Sequence, residues 1–211
     1  MVKYKLTYFP GRGRAEPARL ICAYGNIEFE DNRIGMKDEF PKLKPTLPFG
    51  SLPVLEIEGQ TVIAQSIPIF RYLGKQAKLI GSNDIEEALI DQYAFATDDF
   101  WPLFGPKYIQ PLFVRNDKEE AAAGLKELNE TKLQPEILPR WSGFLEKSGT
   151  GYLVGKTPSY ADFAFFNILD ELEHWDKEIL KPHPRLTEYH ARIAALPGVK
   201  EYIAKRPESA A

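Results

Sequence analysis

Strand-like and helix-like patterning do not mix along this chain. Every alternating stretch lies before residue 77, and from about Asn83 the apolar residues recur only at helical spacing. A chain divided this way predicts a small α/β unit, a mixed sheet with helices packed on it, followed by an all-helical unit. The composition shift near 77–83 marks the boundary, so the expected domains are 1–79 and 83–211. With 211 residues, each unit can bury a core.

In the first unit, Val2 to Phe9 alternates, with Val2, Tyr4, Leu6 and Tyr8 on one face and Lys3, Lys5 and Thr7 on the other. Pro10-Gly11-Arg12-Gly13 breaks the strand. Arg14 to Tyr24 then reads as a helix, with Pro17 in its first turn and Gly25 ending it. Ile27-Glu28-Phe29-Glu30 alternates again as a second strand. The segment from Gly35 to Gly50 carries Pro41, Pro45 and Pro48 and suits a long functional surface loop.

Ser51 to Ile57 is a short apolar strand with Pro53 at its mouth. Proline lacks a ladder donor, so it belongs at a strand's start or on an edge, and an X-Pro bond there can be cis. Leu52 could then offer its backbone to an extended peptide. Glu58-Gly59-Gln60 turns the chain, Thr61-Val62-Ile63 returns, and Gln65-Ser66 opens a helix with Ser66 as expected N-cap and Pro68 in the first turn. The free N–H groups of a helix N-terminus attract a carboxylate. The stretch therefore reads as a seat for a small acidic peptide.

In the second unit, Asn83-Asp84-Ile85-Glu86 is a cap, and Ile85, Leu89, Tyr93, Ala96 and Phe100 keep helical spacing as far as Pro102. Glu119 to Lys147 is helical in composition, with Pro135 and Pro139 kinking or interrupting it. Ser159-Tyr160-Ala161-Asp162 is a capping box, and the helix it starts is apolar on nearly all sides, which predicts the buried centre. Helices over Pro184–Ala195 and Val199–Lys205 follow, stopped by Pro197-Gly198 and Pro207.

Totals exclude several function classes. A net charge of −3 gives no electrostatic case for nucleic acid or anionic membrane. No apolar run approaches the ~18 residues of a membrane span, and the N-terminus lacks a signal peptide's apolar core. The single cysteine, Cys22, rules out an internal disulfide or a Cys-x-x-Cys pair; it reads as a buried small hydrophobe in a reducing cytoplasm. His174, His183 and His190 show no metal-ligand spacing, and no metal is expected.

Tyr4 to Phe9, Arg12-Gly13-Arg14-Ala15-Glu16, Leu47-Pro48-Phe49-Gly50, Leu52 to Glu56, Gln65-Ser66 and Arg71-Tyr72-Leu73 together resemble a cytosolic glutathione transferase. The similarity continues through Asp98-Asp99-Phe100, Leu153-Val154-Gly155, Ala161-Asp162-Phe163 and Arg206-Pro207. The sigma class matches best; it includes invertebrate detoxifying enzymes and a prostaglandin D synthase. The resemblance implies a thioredoxin-like first domain that binds glutathione and a helical second domain that forms the electrophile pocket. It also implies a cytoplasmic homodimer.

Glutathione presents two carboxylates, an ammonium and a thiol. By the resemblance, Gln65 and Ser66 receive the γ-glutamyl carboxylate, while Ser51, Leu52 and Pro53 carry the strand-like pairing to the cysteinyl backbone. Lys44 reaches the glycyl carboxylate, and Asp99 reaches the ammonium bound by the other subunit. Phe40 stands where the family usually has tryptophan; losing that indole donor lowers affinity by about 0.5–1.5 kcal/mol. The chain between Gly59 and Gln65 is one residue longer than the class pattern, which predicts a bulge or a wider turn.

Tyr8 and Arg14 are the catalytic candidates. Alternation alone would place Tyr8 in the core; the resemblance places it against the thiol. A phenol with a pKa near 10 is about 0.1% ionised at pH 7, a poor base but a good donor. Keeping a thiol ionised at neutral pH takes about 2–3 kcal/mol, and one hydrogen bond to a charged acceptor supplies about 1.5–3 kcal/mol. A helix N-terminus beside Arg14 adds about 0.3–1 kcal/mol. The electrophile would lie against Phe9, Gly13, Arg14, Trp101 and Phe104, although Trp101 read alone suits a core as well as a pocket wall.

The implied reaction is conjugation of the glutathione thiolate to small hydrophobic electrophiles. Two alternatives stand beside it: isomerisation of a prostaglandin endoperoxide by the same thiolate, and a non-catalytic, crystallin-like use of the scaffold. For the isomerase, the family's prostaglandin enzyme has a bulkier residue where Gly11 stands.

Overall fold

The computed structural model describes residues 3–207, so the Val2 end of the first predicted strand lies outside it. Strand β1 (Tyr4–Tyr8) forms the centre of a four-stranded sheet, ordered β2-β1-β3-β4. Its partners are a parallel β2 (Glu30–Arg33) and an antiparallel β3 (Val54–Ile57), which in turn pairs with β4 (Thr61–Ala64). Tyr4 and Leu6 are buried on one face beneath α1 (Glu16–Tyr24) and α3 (Ser66–Gln76), as the alternation predicts. On the other face Thr7 is buried as well, accepting a 3.1 Å hydrogen bond from Asn32.

Three local expectations change. The second strand is the polar run Glu30–Arg33, not Ile27–Glu30. Ile27 and Phe29 pack against the core instead, and Asp31 on the strand neutralises the fully buried Arg19 of α1 at 3.0 Å. Arg19 also pairs with the buried Glu16 of its own helix at 3.1 Å, so Asp31 supplies a second carboxylate to a guanidinium that could not be buried alone. The residue that opens α3 as its cap is Gln65, at φ +73°, while Ser66 is the first helical residue and is buried. The helix over Arg14–Tyr24 begins with a tight 3-10 turn at Gly13–Ala15 before α1.

The Leu52–Pro53 peptide is cis. Between β3 and β4 the ladder runs without a bulge from Val54↔Ala64 to Ile57↔Thr61, and the strands are joined by the turn at Glu58-Gly59-Gln60. Glu58 and Gly59 both adopt positive φ there. The long loop contains a short α2 (Phe40–Leu43) and a 3-10 turn over Lys44–Thr46.

Beyond the sheet the chain is helical. Helices α4 (Asp84–Asp98) and α5 (Phe100–Phe104) are followed by a wide-wound continuation, Gly105–Arg115. Next come α6 (Lys118–Leu128), a second wide-wound stretch over Asn129–Ile137, and α7 (Leu138–Ser148). The predicted helix end at Pro102 is therefore overturned: the helical path runs on through Pro106 and Pro111. The widened winding accommodates prolines that cannot donate a normal helical bond.

Helix α8 (Tyr160–Trp175) is the buried centre; α9 (Pro184–Ala194) packs on it, and α10 (Val199–Lys205) packs on α9 and α1. Its capping box forms as predicted: the buried Asp162 carboxylate accepts from Ser159 N–H at 2.8 Å and from Leu153 N–H at 2.9 Å. Helix α4 turns differently from its apolar stripe. Ile90, Ala94 and Thr97 face the core, while Ile85 is 73% exposed.

Candidate functional site

Tyr8 sits at the end of β1, where the sheet meets the helices. Its ring leans on Phe9, with centroids 5.2 Å apart, and Phe9 meets Phe40 edge-on at 5.1 Å. The chain then turns at Gly13 with φ +43°; a Cβ there would stand 2.8 Å from the Tyr8 hydroxyl oxygen. Glycine is required twice over, by the left-handed backbone and by the close approach. This turn brings the Arg14 N–H onto the Tyr8 oxygen at 3.2 Å.

Burial raises the Tyr8 phenol above its ordinary value. The Arg14 N–H and the positive charges of Arg14 and Arg19 oppose that rise, and the Glu171 carboxylate adds to it. The phenol therefore keeps its proton at neutral pH. The Arg14 guanidinium pairs with Asp98 and lies over the Trp101 ring, 5.4 Å from its centroid. Asp98 was not among the predicted site residues, and it offsets much of the charge expected from Arg14.

In front of Tyr8 opens a cavity of about 750 Å³. Its walls include Phe9, Gly13, Arg14 and Trp101 of the expected residues, joined by Gly11 and Met36 from the first half and Ile109, Gln110 and Phe113 from the second. Phe104 is not part of the wall. It is fully buried and stacks on Trp175 at 4.1 Å and on Tyr108 at 5.0 Å, inside the helical core, with the Trp101 ring edge-on at 6.1 Å between it and the cavity side. Ile109, Gln110 and Phe113 were missed because the prolines hid the helical continuation that carries them.

None of the remaining predicted residues lines this cavity. Phe40 borders it through Phe9 and packs over Leu52 and Val54. Pro53 is buried, and Ser51 is exposed beside it. Lys44 is exposed, its aliphatic stem running 3.6 Å from where a Cβ on Gly50 would lie. Gln65 is exposed, whereas Ser66 shares a crevice of about 10 Å³ with Arg14, Asp98 and Trp101, room for one water at most. Asp99 points to solvent and makes no ion pair or side-chain hydrogen bond among the described residues. Cys22 is buried, its thiol pushed up to about 12 by desolvation. No group of three His, Cys, Asp or Glu side chains among the described residues is arranged to hold a metal ion.

Beneath the site lies a buried polar layer that the apolar reading of α8 overlooked. Arg12 reaches Asp170 at 3.4 Å and Glu171 at 3.3 Å, and Arg206 joins Asp170 at 2.7 Å and Glu16 at 3.2 Å. Burial pushes Glu171 up to about 7 despite the neighbouring Arg12. For Asp170 burial acts the same way, but the His190 hydrogen bond and the Arg206 charge outweigh it and hold the carboxyl at about 2.

Comparison with known proteins assigns the family. The profile of the Glutathione S-transferase, N-terminal domain matches residues 4–75, and that of the C-terminal domain matches residues 106–206. The chain belongs to the glutathione S-transferase family. The "Glutathione S-transferase 1" of Ascaris suum is 40% identical to this transferase-family chain, covering 99% of each. The hematopoietic prostaglandin D synthase of Gallus gallus is 38% identical over 100% of both chains. The crystal structure of the glutathione S-transferase from Ascaris lumbricoides superposes with a TM-score of 0.84 at 37% identity, covering 98% of each chain. The sheet and helices are therefore the thioredoxin-like and all-helical parts of the transferase fold.

Proposed function

We propose that this chain is a glutathione transferase that conjugates the glutathione thiolate to small hydrophobic electrophiles, with Tyr8 donating the hydrogen bond that holds the sulfur negative. The observation that carries this reading is the placement of the Tyr8 hydroxyl. It lies at the floor of a large, mainly apolar cavity, with a backbone N–H already on its oxygen. An O–H whose acceptor side is occupied is left to donate into the cavity, and a raised phenol pKa keeps that proton available. A phenol-to-thiolate bond of about 1.5–3 kcal/mol covers most of the thiol ionisation cost.

Residues 1–79 would bind the tripeptide, and residues 83–211 would share the electrophile wall with them. Gln65 and Ser66 at the start of α3 would take the γ-glutamyl carboxylate, as a helix of this length presents free N–H groups there. Leu52 would pair with the cysteinyl backbone beside Ser51 and Pro53, with Lys44 near the glycyl carboxylate and Phe40 closing the edge. Trp101 and Phe9 would hold the electrophile. The same thiolate could open a prostaglandin endoperoxide; the 38% identity to the chicken enzyme favours keeping that second reading.

The active form would be a homodimer in the cytoplasm. Phe49 is 68% exposed, Phe95 58% and Val62 42%, apolar surface that a second copy would cover. Asp99, unpaired among the described residues, would reach the partner's glutathione ammonium. Sedimentation should show a dimer that Phe49→Ala weakens.

The functional test is glutathione conjugation to an activated aryl halide. Tyr8→Phe should lower kcat by roughly ten- to a hundred-fold, the range of a lost charge-assisted donor. Retention on a glutathione column with no turnover by the wild type would instead support a binding role.

A further inference from the structure

We propose that Asn167 and Glu171 of α8 are positioning residues: they clamp the Gly13 peptide from the helical side and so aim the Arg14 N–H at the Tyr8 hydroxyl. The proposal rests on the reading of Tyr8 as the thiolate donor. Asn167 and Glu171 are four residues apart, hence on one face of α8. Each is only 1% exposed. The Asn167 amide donates to the Gly13 carbonyl at 2.9 Å, and the Gly13 N–H donates to the Glu171 carboxylate at 3.2 Å. Both peptide groups flanking the Gly13 Cα are thus gripped by a single helix.

That grip has a chemical consequence one residue later. The Arg14 N–H, 3.2 Å from the Tyr8 oxygen, belongs to the peptide whose carbonyl Asn167 holds. Rotating that peptide would take the N–H off the phenol and free its oxygen to turn the proton away from the cavity. The charged groups bearing on the phenol are Arg14 and Arg19 from the first half and Glu171 from α8. A buried carboxylate is a poor way simply to join two layers, since an apolar contact does so without the desolvation cost. Holding a backbone turn, by contrast, needs an acceptor for an N–H and a donor for a C=O, and α8 provides one of each.

The test uses the full-length protein with Asn167→Leu, which keeps the side-chain volume and removes the donor, and Asn167→Ala as a second variant. Tyr8→Phe is the reference. Thiolate absorbance of bound glutathione is titrated against pH, alongside kcat, KM for glutathione and melting temperature. Both Asn167 variants should raise the thiol pKa by about 0.5–1 unit and, for a wild-type midpoint of about 6.5, lower kcat at pH 6.5 by about two- to six-fold, the fraction of thiolate lost by such a shift. KM for glutathione should stay within about twofold, and the kcat deficit should close as pH rises above the shifted pKa. A residue that only supported the fold would lower the melting temperature and leave the titration alone. Folded Asn167 variants that titrate like wild type, beside a shifted Tyr8→Phe, would overturn the clamp and leave the reading of Tyr8 standing. An unshifted Tyr8→Phe would overturn both.

Discussion

Gly13→Ala perturbs the centre of the site by a single methyl group. At φ +43° an L-residue carries about 1–2 kcal/mol of backbone strain. Its Cβ would also stand 2.8 Å from the Tyr8 hydroxyl oxygen and 3.2 Å from the adjacent ring carbon, closer than side chains pack. Relief by moving the turn is opposed by the Asn167 and Glu171 hydrogen bonds, and relief by moving the phenol is opposed by Phe9. A displacement of about half an ångström takes the 3.2 Å Arg14 N–H contact beyond hydrogen-bonding range. Adding strain to one lost hydrogen bond gives a destabilisation of about 2–3 kcal/mol, or about 5–10 °C in melting temperature for a chain of this size. The misaimed donor should lower kcat at neutral pH by about ten- to a hundred-fold. Conjugation rates and thermal melts of Gly13→Ala measure both effects. Gly143→Ala, on α7 with no atom within 4 Å of the added methyl, should melt at or slightly above wild type. Full activity in Gly13→Ala would refute the close approach as a requirement of the chemistry.

Trp101 and Phe104 should separate cleanly. Trp101→Ala removes a cavity wall and should raise KM for the electrophile several-fold. Phe104→Ala empties a stacked core position and should cost about 3–5 kcal/mol of stability, with electrophile KM little changed. Glu171 predicts a pH signature. Its folded pKa of about 7 lies above the ordinary glutamate value of 4.5, so the folded chain holds a proton that the unfolded chain releases. Its contribution to stability is complete below about pH 4.5 and is lost as pH rises through about 7, by about 3 kcal/mol in total. Melting temperature measured against pH should fall less steeply over that window in Glu171→Gln than in wild type.

Much of the architecture was legible where one force acts alone. The β1 alternation, the proline at the mouth of β3 and the Ser159–Asp162 box each follow from a single local rule, and each forms. What escaped involves competition between levels. Ile27 and Phe29 alternate well enough for a strand, yet they pack against the core, and the polar segment that follows takes the sheet edge with Asp31 joining Glu16 on the buried Arg19. The stripe through Ile85 and Leu89 is helical in period but faces outward, since period fixes a face and not its partner. Prolines 102, 106 and 111 mask a helix that widens its winding to keep them. Asn167, Asp170 and Glu171 were the one readable signal passed over: three polar residues inside an otherwise apolar buried helix must have partners. Those partners are the Gly13 turn, Arg12, Arg206 and His190, the layer directly under the catalytic candidate.

The account turns on whether the Tyr8 hydroxyl keeps bound glutathione ionised. Titrating the thiolate absorbance of glutathione on wild type and on Tyr8→Phe measures this without any electrophile. The wild type should ionise its bound thiol below pH 7, and Tyr8→Phe should move that midpoint upward by about 1–2 units, the equivalent of one charge-assisted hydrogen bond. Coincident titration curves would contradict the assignment of Tyr8.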